Sequence, residues 1–522
     1  MTNVLLLSID SLRRDFLGGY ADEPHCVDYG VETPNLDRFA ERAATFDTHY
    51  AGSLPCMPAR REWHAGVQEF LWRSWGPIEP YDDHVARVAR DDGVLTQLIT
   101  DHFHYFQHGA HGYYEDYTGF EFIRGHEYDA WQTAPRQPDD RLLDQTLDRE
   151  TDPPDGVGYV NRSVYARNAD RLGVEDDERN AFAPRLFSRT AEWLRDNVEW
   201  DRWLCYADSF DVHEPFHCPE PYASMYTDED PRDPELDIWP YYGPVDEGQS
   251  ELSERQIEFV RSQFAGKVTM ADEWFGRVLD ALDEEELWDD TAVIVTSDHG
   301  FLLGEHGWVG KNEPPVYDVL ARTPLLVWHP DGAHNGDRIE SLTSAVDLYA
   351  TVLDLLGIDA DAADRVHSRS LQPLLAGDAD ADDLHAHRDR ALYGYWGSAV
   401  NVTDGEYTYL HPCDPSVESH CHSTTMMNAR GFPLPTTPKR DAEAGEFVPH
   451  ADDPVWRFAA DSYAQLDEPM LFDVREDPTQ ETNLAEERTD ERERLRDELV
   501  VGLENLDAPE HQYDRLDLDP PA

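Results

Sequence analysis

The stretch Ser53-Leu54-Pro55-Cys56-Met57-Pro58-Ala59-Arg60-Arg61, followed by Glu62-Trp63-His64-Ala65-Gly66, decides the reading of this chain. Two prolines around Cys56 fix the backbone and remove hydrogen-bond donors, so the thiol sits on a stiff turn. Pro58 and the residues after it suit the first turn of a helix. Cys56 then lies near the positive end of that helix, where a nucleophile and an anion are both stabilised. Arg60 falls one turn further on and points back to the same spot. Taken alone, Cys-x-Pro-x-Arg is equally well a buried cysteine beside a surface arginine.

Other parts of the chain bear on the choice. Val4 to Ile9 is a short continuous apolar run, the pattern of a central parallel strand covered on both faces. It ends at Asp10-Ser11, and a carboxylate at that end of a strand is where α/β sheets build sites, or else simply caps the next helix. Thr33-Pro34 opens a helix whose buried stripe is Leu36, Phe39, Ala40 and Ala43. The aromatic run Phe70 to Pro77 reads as core, or as a cleft wall. A helix near Asp83 to Arg90 leads into a strand, Val94 to Thr100, which ends in Asp101-His102-Phe103-His104. A third strand, Trp203 to Ala207, ends in Asp208-Ser209-Phe210-Asp211-Val212-His213. A fourth, Ala292 to Thr296, ends in Ser297-Asp298-His299-Gly300, with Lys311 thirteen residues past the aspartate. Helical spacing is clear from Pro184 to Val198, from Ile257 to Leu282, and from Val346 to Leu356, where Gly357 closes the helix. One charged strand end is weak evidence; four, with Cys56, Arg60 and Lys311, converge on the carboxyl edge of one sheet.

The expected fold is α/β: a large, mostly parallel sheet flanked by helices, over residues 1–385, and a smaller C-terminal α+β subdomain, 386–522. Residues 107–180, rich in Gly, Asp, Arg and Tyr with little periodicity, read as an insertion folded near the site. After an Asp/Ala-rich stretch at 376–386, Ala391 to Val400, Glu406 to Leu410 and Pro469 to Val474 read as strands, and Asp490 to Leu506 as a charged helix. His411, Cys413, His420, Cys421 and His422 have a loose zinc-ligand spacing.

The 522 residues carry a net charge of −65. Lys267, Lys311 and Lys439 are the only lysines; the remaining forty basic residues are arginine. An acidic surface nearly free of lysine suits a salt-rich cytoplasm and argues against nucleic acid or anionic membranes as partners. Forty per cent hydrophobic residues and 14 tryptophans argue against a disordered acidic chain. Six scattered cysteines do not make a disulfide framework. The N-terminal apolar run is too short for a signal peptide and no stretch approaches a membrane span, so a cytoplasmic location is expected.

Cys56-Met57-Pro58-Ala59-Arg60 resembles the signature of the sulfatase family, with Ala65-Gly66 where the family usually has Thr-Gly. Thr33-Pro34-Asn35-Leu36-Asp37, Ser297-Asp298-His299-Gly300 with Lys311, and the turn ending at His213 resemble the same family, best over residues 3–376. The resemblance implies an alkaline-phosphatase-like fold and a sulfuric ester hydrolase. It implies that Cys56 is oxidised to formylglycine by dedicated machinery. Asp10, Asp298 and His299, with residue 56, would hold one divalent metal ion. Ser11 stands where many members have a second aspartate, which leaves Mn2+ beside Ca2+ as candidates. In the implied reaction the formylglycine hydrate attacks sulfur, Arg60 stabilises the hydrate, and Lys311 and the metal neutralise the anion. His213 protonates the leaving oxygen and His104 takes the remaining hydroxyl proton. His102 replaces a family lysine and would carry charge only when protonated, which would make anion binding pH-sensitive. The substrate would be a small-molecule or saccharide sulfate ester. A phosphonate monoester or phosphodiester hydrolase using the same site is the second reading, and a non-catalytic relative the third. Lys267→Arg and Lys439→Arg would serve as references for Lys311→Arg.

Overall fold

The computed structural model describes residues 2–20, 25–107, 110–133, 138–146, 159–359, 367–425, 442–460 and 466–520. Lys439 and parts of the 107–180 segment lie outside the described residues.

Eight strands form the main sheet, in the spatial order Arg338–Ile339, Ala44–Phe46, Leu325–Trp328, Thr291–Thr296, Asn3–Ile9, Trp203–Ser209, Leu95–Thr100 and Gly119–Phe122. The expected parallel core is present: Asn3–Ile9 pairs parallel with both Trp203–Ser209 and Thr291–Thr296. Leu325–Trp328 runs antiparallel beside it. The apolar run at the N-terminus is central because both of its faces are covered. Leu5, Leu7 and Ile9 pack on one side, with the helices Phe182–Asp196 and Glu254–Glu284. Val4 and Leu6 pack on the other, with Val85–Asp91 and Asp347–Leu355. The long helix Glu254–Glu284 starts at a capping box: Ser253 Oγ accepts from the Gln256 N–H, and Gln256 Oε1 accepts from the Ser253 N–H.

A second sheet is ordered Met470–Asp473, Tyr407–His411, Val400–Thr403, Ala391–Tyr395 and Ser53–Leu54. The last of these pairs parallel with Ala391–Tyr395, two residues before Cys56. The cysteine helix is thus joined to the C-terminal sheet through its own N-terminal lead-in. Gly119–Phe122, inside the 107–180 segment, pairs with Leu95–Thr100 as the edge of the main sheet. Phe70, Leu71 and Trp72 belong to the hydrophobic core under the C-terminal sheet, with Leu495, Leu499 and Leu503 of the helix Thr489–Asn505. His411 and His422 have other partners than a metal: His411 bonds Tyr409 OH and Leu516 O, and His422 Nδ1 donates to Trp72 O. Among the described residues, the 411–422 histidines and cysteines form no metal-ligand group.

Buried charges tie the cysteine helix to the strand His420–Ser423, which belongs to a separate three-stranded sheet. Arg61 donates to both oxygens of Asp82 and contacts Glu69. Arg73 bonds Glu69 at 2.7 Å and Glu79, and Glu79 accepts from Ser423 and Thr424. Removing one partner of a buried pair leaves the other charge without compensation, a cost of about 3–5 kcal/mol. Arg61→Met removes the ion-pair partner of the buried Asp82 and is expected to lower unfolding free energy by that much in chemical denaturation; a change below about 1 kcal/mol would contradict the burial argument.

Candidate active site

Cys56 is the first residue of the helix Cys56–Ala65, all ten of whose residues are buried. Gly66 closes it at φ 70°, and its N–H bonds Glu62 O. The glycine is what that left-handed position needs; Ala65, where a threonine is usual, removes no group from the site.

The four strand ends meet this helix N-terminus. Cys56 Sγ lies 3.2 Å from His299 Nε2. His299 Nδ1 donates to Gly300 O at 2.9 Å, which leaves Nε2 as the lone-pair nitrogen, facing Cys56. Gly300 is required here: a Cβ would stand 1.9 Å from the Val319 carbonyl oxygen. One ligand atom from each of Asp10, Cys56, Asp298 and His299 lies within 4.8 Å of the others, all four residues being buried. Asp10 Oδ2 is fully buried and makes no hydrogen bond, although Arg60 Nη2 stands 3.0 Å away as its ion-pair partner. Two carboxylates, an imidazole with its outer nitrogen fixed by a carbonyl, and residue 56 together suit a divalent cation.

Arg60 is clamped by carboxylates. Nη1 lies 2.6 Å from Asp298 Oδ2 and donates to Cys56 O at 3.2 Å; Nη2 lies 3.0 Å from Asp10 Oδ2 and 2.8 Å from Asp208 Oδ1. Asp208 also accepts from Ser8 and Tyr105 hydroxyls. Asp208 thereby orients Arg60. Lys311 Nζ donates to Ser11 Oγ at 3.0 Å and lies 3.6 Å from Asp10 Oδ1, while Ser11 Oγ donates to Asp10 Oδ1 at 2.7 Å. Ser11 thus occupies the second-aspartate position as a link between Lys311 and Asp10.

Burial opposes every charge here, and neighbours decide the outcome. It would raise Asp10, but Lys311 and Arg60 outweigh it and hold the carboxyl well below its usual range. Burial and the Asp10 charge push Asp298 up. Burial would lower Lys311, but the Asp10 carboxylate beside it raises it. Burial, then Asp10, pushes the Cys56 thiol up, so the thiol stays protonated.

His102 reaches the centre, His104 lies against His102 with ring centroids 5.1 Å apart, and His213 is grouped with Glu127 and Glu214. His102 Nε2 is 3.6 Å from Asp10 Oδ2, and burial and Arg60 lower it to about 3. It is neutral over the neutral range, so the expected pH sensitivity of anion binding does not arise from its titration there. His104 Nε2 lies 3.1 Å from Glu127 Oε2, its ring meets Trp75 edge-on, and burial lowers it to about 3. His213 stacks on Phe210, and its Nδ1 donates to Glu214 O at 2.7 Å; burial and Lys311 hold it well below its usual range.

Three further residues were not singled out from sequence. Glu127, at φ 42°, and Glu214 are buried beside His213. Lys267 Nζ donates to His213 O at 2.6 Å and Pro215 O at 3.0 Å and lies 2.5 Å from Asp211 Oδ1. Its position on the apolar stripe of its helix, three residues after Phe264, was the available signal. Lys267→Arg is therefore no neutral reference for Lys311.

The α/β fold gathers a helix N-terminus, carboxylates, an imidazole and a lysine at one sheet edge, a set suited to an anionic ester. A sulfatase family profile matches residues 2–358, and the chain belongs to the sulfatase family, within the sulfatase/alkaline phosphatase superfamily. It is similar to the multifunctional alkaline phosphatase superfamily protein PehA of Trinickia caryophylli, 26% identical over 476 residues, covering 78% of this chain and 87% of that protein. Similarity to the choline-sulfatase of Rhizobium meliloti is 23% over 425 residues, 78% of each chain. In fold it matches the phosphonate monoester hydrolase of Agrobacterium radiobacter with a TM-score of 0.65 at 19% identity, covering 97% of this chain and 96% of that one. Among the described residues no helix is long and apolar enough to cross a membrane.

Proposed function

We propose that the protein hydrolyses a sulfate ester of a small molecule or saccharide, using a formylglycine made from Cys56. The observation that carries this is residue 56 at a helix N-terminus, 3.2 Å from His299 Nε2 and grouped with Asp10 and Asp298. A buried thiol held protonated is a poor nucleophile. The aldehyde hydrate of formylglycine would supply one oxygen for attack on sulfur and a second hydroxyl whose deprotonation expels sulfate. Asp10, Asp298, His299 and residue 56 would hold one divalent ion, Ca2+ or Mn2+, which supplies Lewis-acid charge.

The chain's own residues do the rest. Arg60, clamped by Asp208, orients Asp10 and Asp298 and fixes the Cys56 carbonyl. Lys311 offers its remaining donors to the ester's oxygens. His213 protonates the leaving oxygen: it is neutral in the free enzyme, and a bound anion offsets the Lys311 charge that depresses it. His104, neutral, takes the hydroxyl proton. Lys267 positions His213 by holding its carbonyl.

The second reading, a phosphonate monoester or phosphodiester hydrolase, draws on the phosphonate hydrolase among its structural neighbours and on Ser11 after Asp10. Paired assays on one preparation, with aryl sulfate, phosphonate monoester and phosphodiester, decide. The sulfatase reading expects the highest kcat/KM for sulfate; a higher value for either phosphorus ester replaces it.

Lys311→Arg is expected to keep the charge yet lose about 100-fold or more in kcat/KM, because a planar fork cannot replace a compact ammonium between Ser11 and the ester. Wild-type kinetics would show that Lys311 does not touch the transferred group. For Lys267→Met the loss is expected to depend on the leaving group: about 10-fold greater for an alkyl sulfate than for nitrophenyl sulfate, whose leaving oxygen needs no proton. Equal losses would mean Lys267 supports the fold alone.

A further inference from the structure

We propose that Glu127, His213 and Glu214 form a second divalent-cation site, suited to a borderline transition ion such as Zn2+, whose filling inhibits the enzyme. One ligand atom from each of the three lies within 4.8 Å of the others, and all three side chains are buried. One imidazole and two carboxylates are the donor types that such ions take.

The supporting contacts are those of a ligand set. His213 Nδ1 gives its proton to the Glu214 carbonyl at 2.7 Å, which leaves the lone pair on Nε2. Glu214 Oε1 accepts from Tyr242 OH, and its Oε2, fully buried and 3.2 Å from His213 Nδ1, makes no hydrogen bond. Glu127 Oε2 is braced by His104 at 3.1 Å. Charge points the same way. Asp10, Asp208, Asp211, Asp298, Glu127 and Glu214 are buried carboxylates among the buried cations Arg60, Lys267 and Lys311, six against three. One divalent ion leaves an excess negative charge, which a bound sulfate ester increases, and a second ion offsets both.

Lys311 is the nearby cation that acts on both His213 and Glu214. It weakens a second ion and makes the site tighter once a substrate anion covers Lys311. An ion on the Nε2 lone pair leaves no place there for a proton. Inhibition rests on His213 being the proton donor; ion binding does not.

The test uses the full chain with its first site filled, dialysed against chelator-buffered Zn2+ so that weak surface carboxylates stay empty. Total metal is measured by atomic emission and alkyl sulfate turnover in parallel. One additional Zn2+ per chain is expected, absent from the Glu127→Gln, Glu214→Gln double variant and retained in Tyr242→Phe, which removes no ligand. Turnover should fall in step with uptake. Wild type taking up no additional ion, or a double variant taking up as much as wild type, overturns the site. Uptake with turnover unchanged overturns the inhibitory role, and with it His213 as proton donor, while leaving the metal count intact.

Discussion

Cys56→Ala is expected to abolish turnover, by about 10^4-fold or more, while leaving the fold in place. The residue is 2% exposed, at the first position of its helix, with Sγ against His299 Nε2 and its carbonyl on Arg60. Alanine keeps the backbone, the carbonyl contact and the helix start, and loses only the reacting group. The expected stability change is therefore small, on the order of 1 kcal/mol, the scale of deleting one small buried group. The expected activity change is that of removing a nucleophile, where the remaining electrostatics supply only residual rate. Near-normal turnover by Cys56→Ala would mean that another group attacks the ester.

The second large effect concerns the carboxylates. Asp10→Asn, Asp298→Asn and His299→Ala should each lower metal content and activity together, as ligands do. The expected loss of metal affinity exceeds the 10- to 100-fold typical of a supporting residue. Arg60 complicates this, since it pairs with Asp10, Asp298 and Asp208 alike. Asp208→Asn separates the two roles. It weakens the clamp on Arg60 but removes no member of the Asp10, Cys56, Asp298, His299 group, so metal content should hold while activity falls. Full metal content in all three ligand variants would show that the ion sits elsewhere.

Legibility of the site in the sequence followed a physical rule. Asp10, Asp298 and His299 were readable because each lies within three residues of the end of a mostly apolar run, the pattern of a strand buried on both faces. Cys56, Arg60 and Lys311 were readable from a dense local pattern and a fixed spacing. The groups that support them were not. Glu127 lies in a segment without periodicity, so nothing local distinguishes it from other acids. Glu214 follows His213 in a turn, where a carboxylate reads as solvated. Ser53–Leu54 is a two-residue strand, too short for any alternation, and its partner is more than 300 residues away. Lys267 was legible in retrospect: a lysine on the buried stripe of a helix, in a chain with three lysines, needs a buried partner. The Asp208 clamp on Arg60 is a tertiary contact over 148 residues and has no sequence signature.

The central claim is that Cys56 is the precursor of the nucleophile. The mass of the tryptic peptide ending at Arg60, taken from active protein made in its native host, tests it most directly. The account predicts an aldehyde, or its hydrate, in place of the thiol at position 56, in proportion to specific activity across preparations. Fully active protein whose peptide carries only unmodified cysteine would contradict it.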